Sequence, residues 1–182
     1  MIYFIVVVGM DLRDIKEFVK DFIKIIVLIT IIFAIYMWVV GTQQVVGSSM
    51  DNTLKNGDVI VLSKISYRLG DIERFDIISF YYDETKYLVK RVIGLPGEHI
   101  AYKDNQLYVN GEYVEENYDF ITEDFDLKEL GYDVIPEGYY FVLGDNRENS
   151  LDSREIGLVK KEDIIGEVVA RIWPIIDFKI IS

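Results

Sequence analysis

The sequence predicts a mainly β fold: an N-terminal transmembrane helix, then an antiparallel β-sandwich or partly open barrel with a short inserted excursion. Three observations carry this prediction. Phe22 to Val40 is a membrane-length apolar run. Beyond it come many short runs of β-branched and aromatic residues and no second long helical pattern. Thirteen tyrosines and ten phenylalanines favour strands over helices.

Composition narrows the function classes. The 182 residues suffice for one domain with a core plus an anchor. The absence of cysteine excludes disulfides and thiolate chemistry. A single histidine, His99, excludes a His-rich metal site, and no metal or other cofactor is expected. The net charge is −12. Arg13, Lys16, Lys20 and Lys24 cancel Asp11, Asp14, Glu17 and Asp21, so the whole negative charge falls on residues 41–182. Such a domain repels phosphate backbones, and nucleic acid is not an expected partner.

Met1 to Met10 is apolar but too short to span a bilayer, and Met10 is a second candidate start. Asp11 to Asp21 places Leu12, Ile15, Phe18, Val19 and Phe22 on one stripe. It reads as a helix lying at the membrane surface or continuing into the span. Phe22–Val40 would be roughly 28 Å long as a helix, close to the hydrocarbon thickness of about 30 Å. Lys24 can snorkel to the headgroups, and Tyr36 and Trp38 suit the far interface. A buried core helix would need a polar face, which this run lacks. A cleaved signal peptide would need a small-residue site, which Gly41-Thr42-Gln43 does not supply. Basic residues precede the span, and Lys55 is the first to follow it. The N-terminus is therefore expected in the cytoplasm and the remainder outside. The expected divisions are 1–21 interfacial, 22–40 anchor and 41–182 β domain, with an insert at about 102–136.

Within the β domain, Asp58–Ser63, Asp76–Tyr82 and Tyr87–Gly94 read as strands. Leu95-Pro96-Gly97 is a turn, followed by a strand through Ile100 to Tyr102. Asn110-Gly111 joins Leu107–Val109 to Glu112–Val114 as a hairpin. Glu115 to Pro136 is acidic, weakly periodic and expected on the surface. Gly138–Leu143 is a strand and Gly144–Arg154 a polar loop. Lys160–Ile164 suits one helical turn, and Gly166–Trp173 a last long strand before Pro174.

Three stretches could do chemistry. Val46–Leu54 follows the span closely and offers Ser48 and Ser49 after Gly47. Taken alone it reads as a turn. In the strand Tyr87–Gly94, alternation sets Lys90 with Leu88 and Val92, and Arg91 with Val89 and Ile93. One of the two cations must then sit among apolar groups, unless this is an edge strand with both in water. A buried lysine loses part of its basicity by desolvation. Lowering it from about 10.4 to about 8 corresponds to roughly 3 kcal/mol. A neutral amine can take a serine proton. A Ser-His-Asp triad would have to use His99, which reads as an exposed strand start. A Ser-Lys dyad is the chemically economical alternative. The loop Gly144–Arg154 could position the amine through Ser150, with Asp152 and Arg154 as an ion pair.

Ser49-Met50 with Thr53-Leu54, Lys90-Arg91-Val92-Ile93-Gly94-Leu95-Pro96-Gly97, and Gly144-Asp145-Asn146-Arg147 with Ser150, Asp152, Ser153 and Arg154 occur in this order behind an apolar anchor. Together they resemble the bacterial type I signal peptidases, from Phe22 to Trp173. The resemblance implies a serine endopeptidase of the signal-peptidase fold. Such an enzyme removes signal peptides from exported preproteins after small residues, of Ala-x-Ala type. It implies Ser49 as nucleophile, Lys90 as general base and Ser150 as the hydroxyl orienting the amine. It implies Asp145, Asp152 and Arg154 as supports, and Val45, Leu54 and Val89 as lining of the small pockets. The implied partners are preproteins and membrane lipid.

The segment Glu73–Phe80 looks like the family's Arg-Gly-Asp strand, with Phe75 where glycine is usual. Asn52 replaces the usual proline, which is expected to loosen the turn. Gly47 stands where some members have an oxyanion-hole serine, leaving the Ser49 N–H as the main expected donor. Two other readings are a self-cleaving repressor peptidase and a non-catalytic or inactive membrane-anchored β domain. The first would carry a DNA-binding helix-turn-helix in place of the span. The second would bind a partner at the outer face.

Overall fold

Short runs of β-branched and aromatic residues recur after residue 40, and they resolve into antiparallel strands. The structure, a computed structural model, describes residues 11–116 and 120–181. The Met1–Met10 stretch with its alternative start, residues 117–119 of the acidic stretch and residue 182 lie outside the described residues. The chain divides into two units, Met1–Val39 and Val40–Ser182.

In the first unit α1 runs unbroken over Leu12–Val39, with no buried residue. The charged segment thus continues into the apolar run as one helix. At 28 residues it is about 42 Å long. Its most apolar 18-residue window has a mean hydropathy of 2.6. Length and composition suit a membrane span. Val40, expected as the last anchor residue, is instead the first residue of a strand.

In the second unit the strands are β1 (Val40–Gln44), β2 (Val59–Ser63), β3 (Ile77–Tyr81), β4 (Tyr87–Gly94), β5 (Ile100–Lys103) and β6 (Gln106–Val109). They continue with β7 (Glu112–Val114), β8 (Phe125–Asp126), β9 (Tyr139–Leu143), β10 (Val159–Lys160), β11 (Ile164–Trp173) and β12 (Lys179–Ile180). Single helical turns α2 (Ser66–Leu69) and α3 (Ser153–Ile156) interrupt them. The larger sheet has the order β1-β2-β11-β3-β4-β9-β10, with β12 also on β11. The smaller has the order β7-β6-β5-β8. Every pairing is antiparallel.

The larger sheet coils strongly. Ser79 Oγ of β3 donates to Gln43 Oε1 of β1 at 2.6 Å. Tyr87 Oη of β4 donates to the Gln44 carbonyl at 3.1 Å. Both contacts reach across β2 and β11, so the sheet curls towards itself without a β1–β4 ladder closing it. That is the partly open barrel expected from the sequence. β4 is a central strand, paired with β3 over Tyr87–Arg91 and with β9 over Arg91–Gly94.

The stretch Glu115–Pro136 corrects the expectation of a surface excursion. Phe125–Asp126 pairs with Ala101–Tyr102, and Phe125, Leu127 and Ile135 lie in the core beside Phe141. The apolar residues are too widely spaced to show a period, and the acidic residues between them hide the pattern. The hairpin at Asn110-Gly111 forms as expected, with φ of 53° and 82°, the left-handed pair that a two-residue turn demands. The short strands β1, β8, β10 and β12 carry no signal of their own; each is defined by its partner.

Candidate active site

The segment after β1 is closed at its base. Val45 N–H donates to the Asp58 carbonyl at 2.8 Å, and Gly57 N–H donates back to Val45 at 2.9 Å. Gly47 has φ +95°, which a glycine adopts without strain. Its N–H donates to Asn56 Oδ1 at 3.0 Å. A tight turn follows, with Leu54 N–H donating to the Met50 carbonyl at 2.8 Å. Met50 and Leu54, 1% and 0% exposed, anchor the turn in the core with Val45 and Val89. Asn52 has φ +88°. Asparagine tolerates this conformation and proline cannot reach it. The replacement therefore reshapes this turn rather than loosening it.

Ser49 is held by its backbone. Its carbonyl accepts from Asn146 N–H at 3.0 Å. Asn146 Nδ2 donates to the Ser48 carbonyl at 3.1 Å, and Asn149 Nδ2 to Ser48 Oγ at 3.0 Å. These two asparagines were not singled out by sequence reasoning; two amides in a polar loop look like any turn chemistry.

Lys90 lies 1% exposed and Arg91 2% exposed. A central strand flanked by packed layers leaves neither cation a route to water, so the edge-strand alternative is excluded. Lys90 Nζ is hydrogen-bonded to Ser49 Oγ at 2.6 Å and to the Val89 carbonyl at 3.0 Å. Burial lowers the Lys90 pKa from about 10.5 to about 8, partly opposed by the Asp152 and Asp145 carboxylates.

The loop Gly144–Arg154 is built on ion pairs. Arg91 donates from Nε and Nη2 to both oxygens of Asp145, at 2.8 and 2.7 Å. Arg91 Nη1 also donates to the Phe75 carbonyl at 2.8 Å. The fork geometry fixes the start of the loop against β4. Asp152 accepts from Gly144 N–H at 3.1 Å, and from Arg154 Nε and Nη2 at 2.9 Å each. The expected Asp152–Arg154 pair is therefore present. Ser150 departs from expectation: its buried Oγ makes no hydrogen bond within the protein and packs on Gly144, while the second partner of Lys90 is a carbonyl.

A cleft of about 400 Å³ is lined by Val45, Val46, Met50 and Val89, with Ser49 and Lys90 in its wall. Thr85 and Lys86 of the turn before β4, and Tyr87 at its start, border it too. Of the three expected pocket residues Val45 and Val89 line this cleft, whereas Leu54 lies behind them in the core. His99 is far from this chemistry in its bonding: its Nδ1 meets the Asp133 carbonyl at 2.8 Å. Among the described residues, no group of three or more His, Cys, Asp or Glu side chains could hold a metal ion.

A buried amine within hydrogen-bonding distance of a serine at the edge of an apolar cleft is an arrangement for nucleophilic catalysis. Residues 15–173 match the family model described as signal peptidase, peptidase S26. The chain belongs to this family. The chain is 39% identical over 179 residues to signal peptidase IB of Staphylococcus aureus strain N315, covering 90% of this chain and 94% of that one. It is 43% identical over 163 residues to signal peptidase I of Bacillus caldolyticus, covering 84% and 90%. A solved structure of a signal peptidase I from Enterococcus faecalis V583 matches with TM-score 0.50 and 40% identity, covering 54% of this chain and 97% of that one. The protein is a serine peptidase of the signal peptidase I kind.

Proposed function

We propose that this peptidase is anchored in the cell membrane by α1 and removes signal peptides from exported preproteins, with Ser49 as nucleophile and Lys90 as general base. The observation that carries the reading is the 2.6 Å contact between Ser49 Oγ and Lys90 Nζ, made by a lysine that is 1% exposed. The neutral amine takes the hydroxyl proton as Oγ attacks the carbonyl carbon of the scissile bond. The backbone N–H of Ser49 donates to the developing oxyanion. The Lys90 ammonium then protonates the leaving amine, and the C–N bond breaks. Water, deprotonated by the same amine, hydrolyses the ester and returns the proton to Ser49. Ser150, a buried hydroxyl in need of a partner, is assigned the role of receiving the ammonium once the Ser49 proton has moved. Asp145, Asp152 and Arg154 keep the loop in register through the ion pairs described above.

Substrate selection follows from the cleft. The β9-facing edge of β4 before Arg91 has no ladder partner among the described residues. An extended peptide can add there as a strand, with alternate side chains entering pockets. Val45 and Val89, backed by Leu54, leave room for small side chains, Ala above all. A methylene in such a pocket is worth about 1–3 kcal/mol. Tethering adds to this, since enzyme and substrate confined to one membrane meet at raised effective concentration. Ser49 lies nine residues past Val40, no more than roughly 30 Å of extended chain. The basic residues ahead of the span favour a cytoplasmic N-terminus with residues 41–182 outside.

The test uses full-length protein in detergent and a preprotein with an Ala-x-Ala site. Wild type is expected to cut after that site, and Ser49→Ala and Lys90→Ala to leave the preprotein intact while folding normally by circular dichroism. Wild-type rates in either variant would remove the dyad.

A further inference from the structure

The loop that carries Ser150 is gripped on one flank by Arg91. On the other it is gripped by Arg147, a guanidinium with 1% side-chain exposure. Arg147 Nε donates to the Gly144 carbonyl at 3.0 Å. Its Nη1 donates to Tyr102 Oη at 3.1 Å and to Thr122 Oγ1. Its Nη2 donates to Glu116 Oε1 at 2.6 Å. The Glu116 carboxylate also accepts from Tyr102 Oη at 3.0 Å. The guanidinium carbon stands 4.6 Å from the ring centre of Phe120 and 5.4 Å from that of Tyr102. Apart from Gly144, every one of these partners comes from residues 102–122, within the stretch of about 102–136 that the sequence marks as a shortened insert.

A cation this far from water is stable only when paired and fully hydrogen-bonded. Glu116 supplies the negative charge, and Arg147 spends its Nε on Gly144. Gly144 is where the force goes next. An added side chain there would collide with the Ser49 carbonyl and the Ser150 hydroxyl, so its backbone is pressed directly against both. Its neighbours extend the contact: Asp145 holds Arg91, and Asn146 N–H holds the Ser49 carbonyl.

We propose that Glu116 is a positioning residue: by holding Arg147, and through it the Gly144 backbone, it sets Ser49 against Lys90. This rests on the Ser49–Lys90 reading. The small sheet then contributes to catalysis rather than merely decorating the fold. Lys90 is faced by Ser49, by Asp152 paired with Arg154, and by Asp145 paired with Arg91. Glu116 is paired with Arg147 rather than with Lys90. Removing the Glu116 charge leaves Arg147 unopposed, which by itself would lower the Lys90 midpoint, so a rise on altering Glu116 reports a change of geometry.

The experiment labels full-length protein in detergent with ¹³C-lysine and follows the Lys90 amine by NMR, assigned by its loss in Lys90→Ala. In Glu116→Ala the midpoint is expected to rise by about half a unit or more as the loosened site admits water. With an Ala-x-Ala preprotein kcat should fall by about tenfold or more, with KM within about twofold, because the apolar lining of the cleft (Val45, Val46, Met50 and Val89) is untouched. Glu116→Gln keeps the shape of the side chain and removes its charge. It should move both readouts in the same direction by less, and it carries the test if the alanine variant does not fold. Folded variants with a wild-type midpoint and wild-type kcat would overturn the proposal. A wild type that titrates near pH 8 yet cuts no preprotein would instead sink the proposed reaction, with the NMR comparison still deciding the role of Glu116.

Discussion

Replacing Lys90 by methionine should make the protein more stable relative to wild type at neutral pH than at alkaline pH. Methionine keeps most of the aliphatic stem and removes the charge. In wild type the folded pKa is about 8, against about 10.5 for an unburied lysine. Between these values the unfolded chain holds a proton that the folded chain has released, so stability rises with pH through this window. Below pH 8 the cost of burying the ammonium is present in full; above 10.5 it is gone. At about 1.4 kcal/mol per pKa unit, the cost at pH 7 is about 3 kcal/mol. Lost hydrogen bonds to Ser49 and Val89 shift the variant by an offset that does not vary with pH. Every other ionisable group is common to the two proteins. Both effects cancel when the difference between variant and wild type is compared across pH. Denaturant unfolding, followed by near-ultraviolet circular dichroism at pH 7 and 10.5, measures it. The stability difference should move by about 3 kcal/mol towards wild type as pH rises. Parallel pH curves would show that Lys90 titrates normally, and the account of its basicity would fall.

Two further variants probe the surroundings of the dyad. Asp152 favours the ammonium form of Lys90, so Asp152→Asn should lower the amine's pKa and move the acid limb of kcat/KM down by about half a unit; a limb moving up would contradict the sign. Asn52, at φ +88°, should accept glycine within about 0.5 kcal/mol and lose more than about 1 kcal/mol as proline. Thermal unfolding of the two variants compares them directly, and a proline variant as stable as wild type would mean that this turn has another conformation.

What the sequence made legible follows strength of local signal. The apolar helix, the Asn110-Gly111 hairpin and the runs around β2, β3, β4 and β9 each carry a complete pattern within one window. The Lys90 environment was half legible: two adjacent cations cannot both avoid the core in a central strand, but only the pairing of β4 on both sides excluded an edge strand. Strands β1, β8 and β12 were not, since two to five residues paired only through a distant partner have no period to read. The acidic stretch from Glu115 misled for a different reason. Among the described residues its charges are exposed or half-buried except Glu116, whose carboxylate is largely buried against Arg147, and composition cannot distinguish the two. Asn146 and Asn149 were hidden likewise: what matters is that they meet Ser48 and Ser49, about a hundred residues away in the chain.

Phe75 shows how such non-local demands can override a local preference. It has φ +76°, a conformation that costs a residue with a Cβ roughly 1–2 kcal/mol, and the resembling family usually has glycine there. Its N–H donates to the Val92 carbonyl at 2.8 Å, and its own carbonyl accepts from Arg91. The backbone is therefore held from both sides by β4. The ring, half-buried against the cluster of Ile93 and Phe141, offsets the strain by an amount of the same order, since burying a phenyl fully is worth about 1.5–3 kcal/mol. The carbonyl direction is what the site needs: it occupies Nη1 of Arg91, leaving Nε and Nη2 to clasp Asp145 as a fork. Glycine would supply the same carbonyl without strain and without the ring. Phenylalanine at this position thus exchanges backbone ease for core packing while keeping the one contact that reaches the loop beside Ser49.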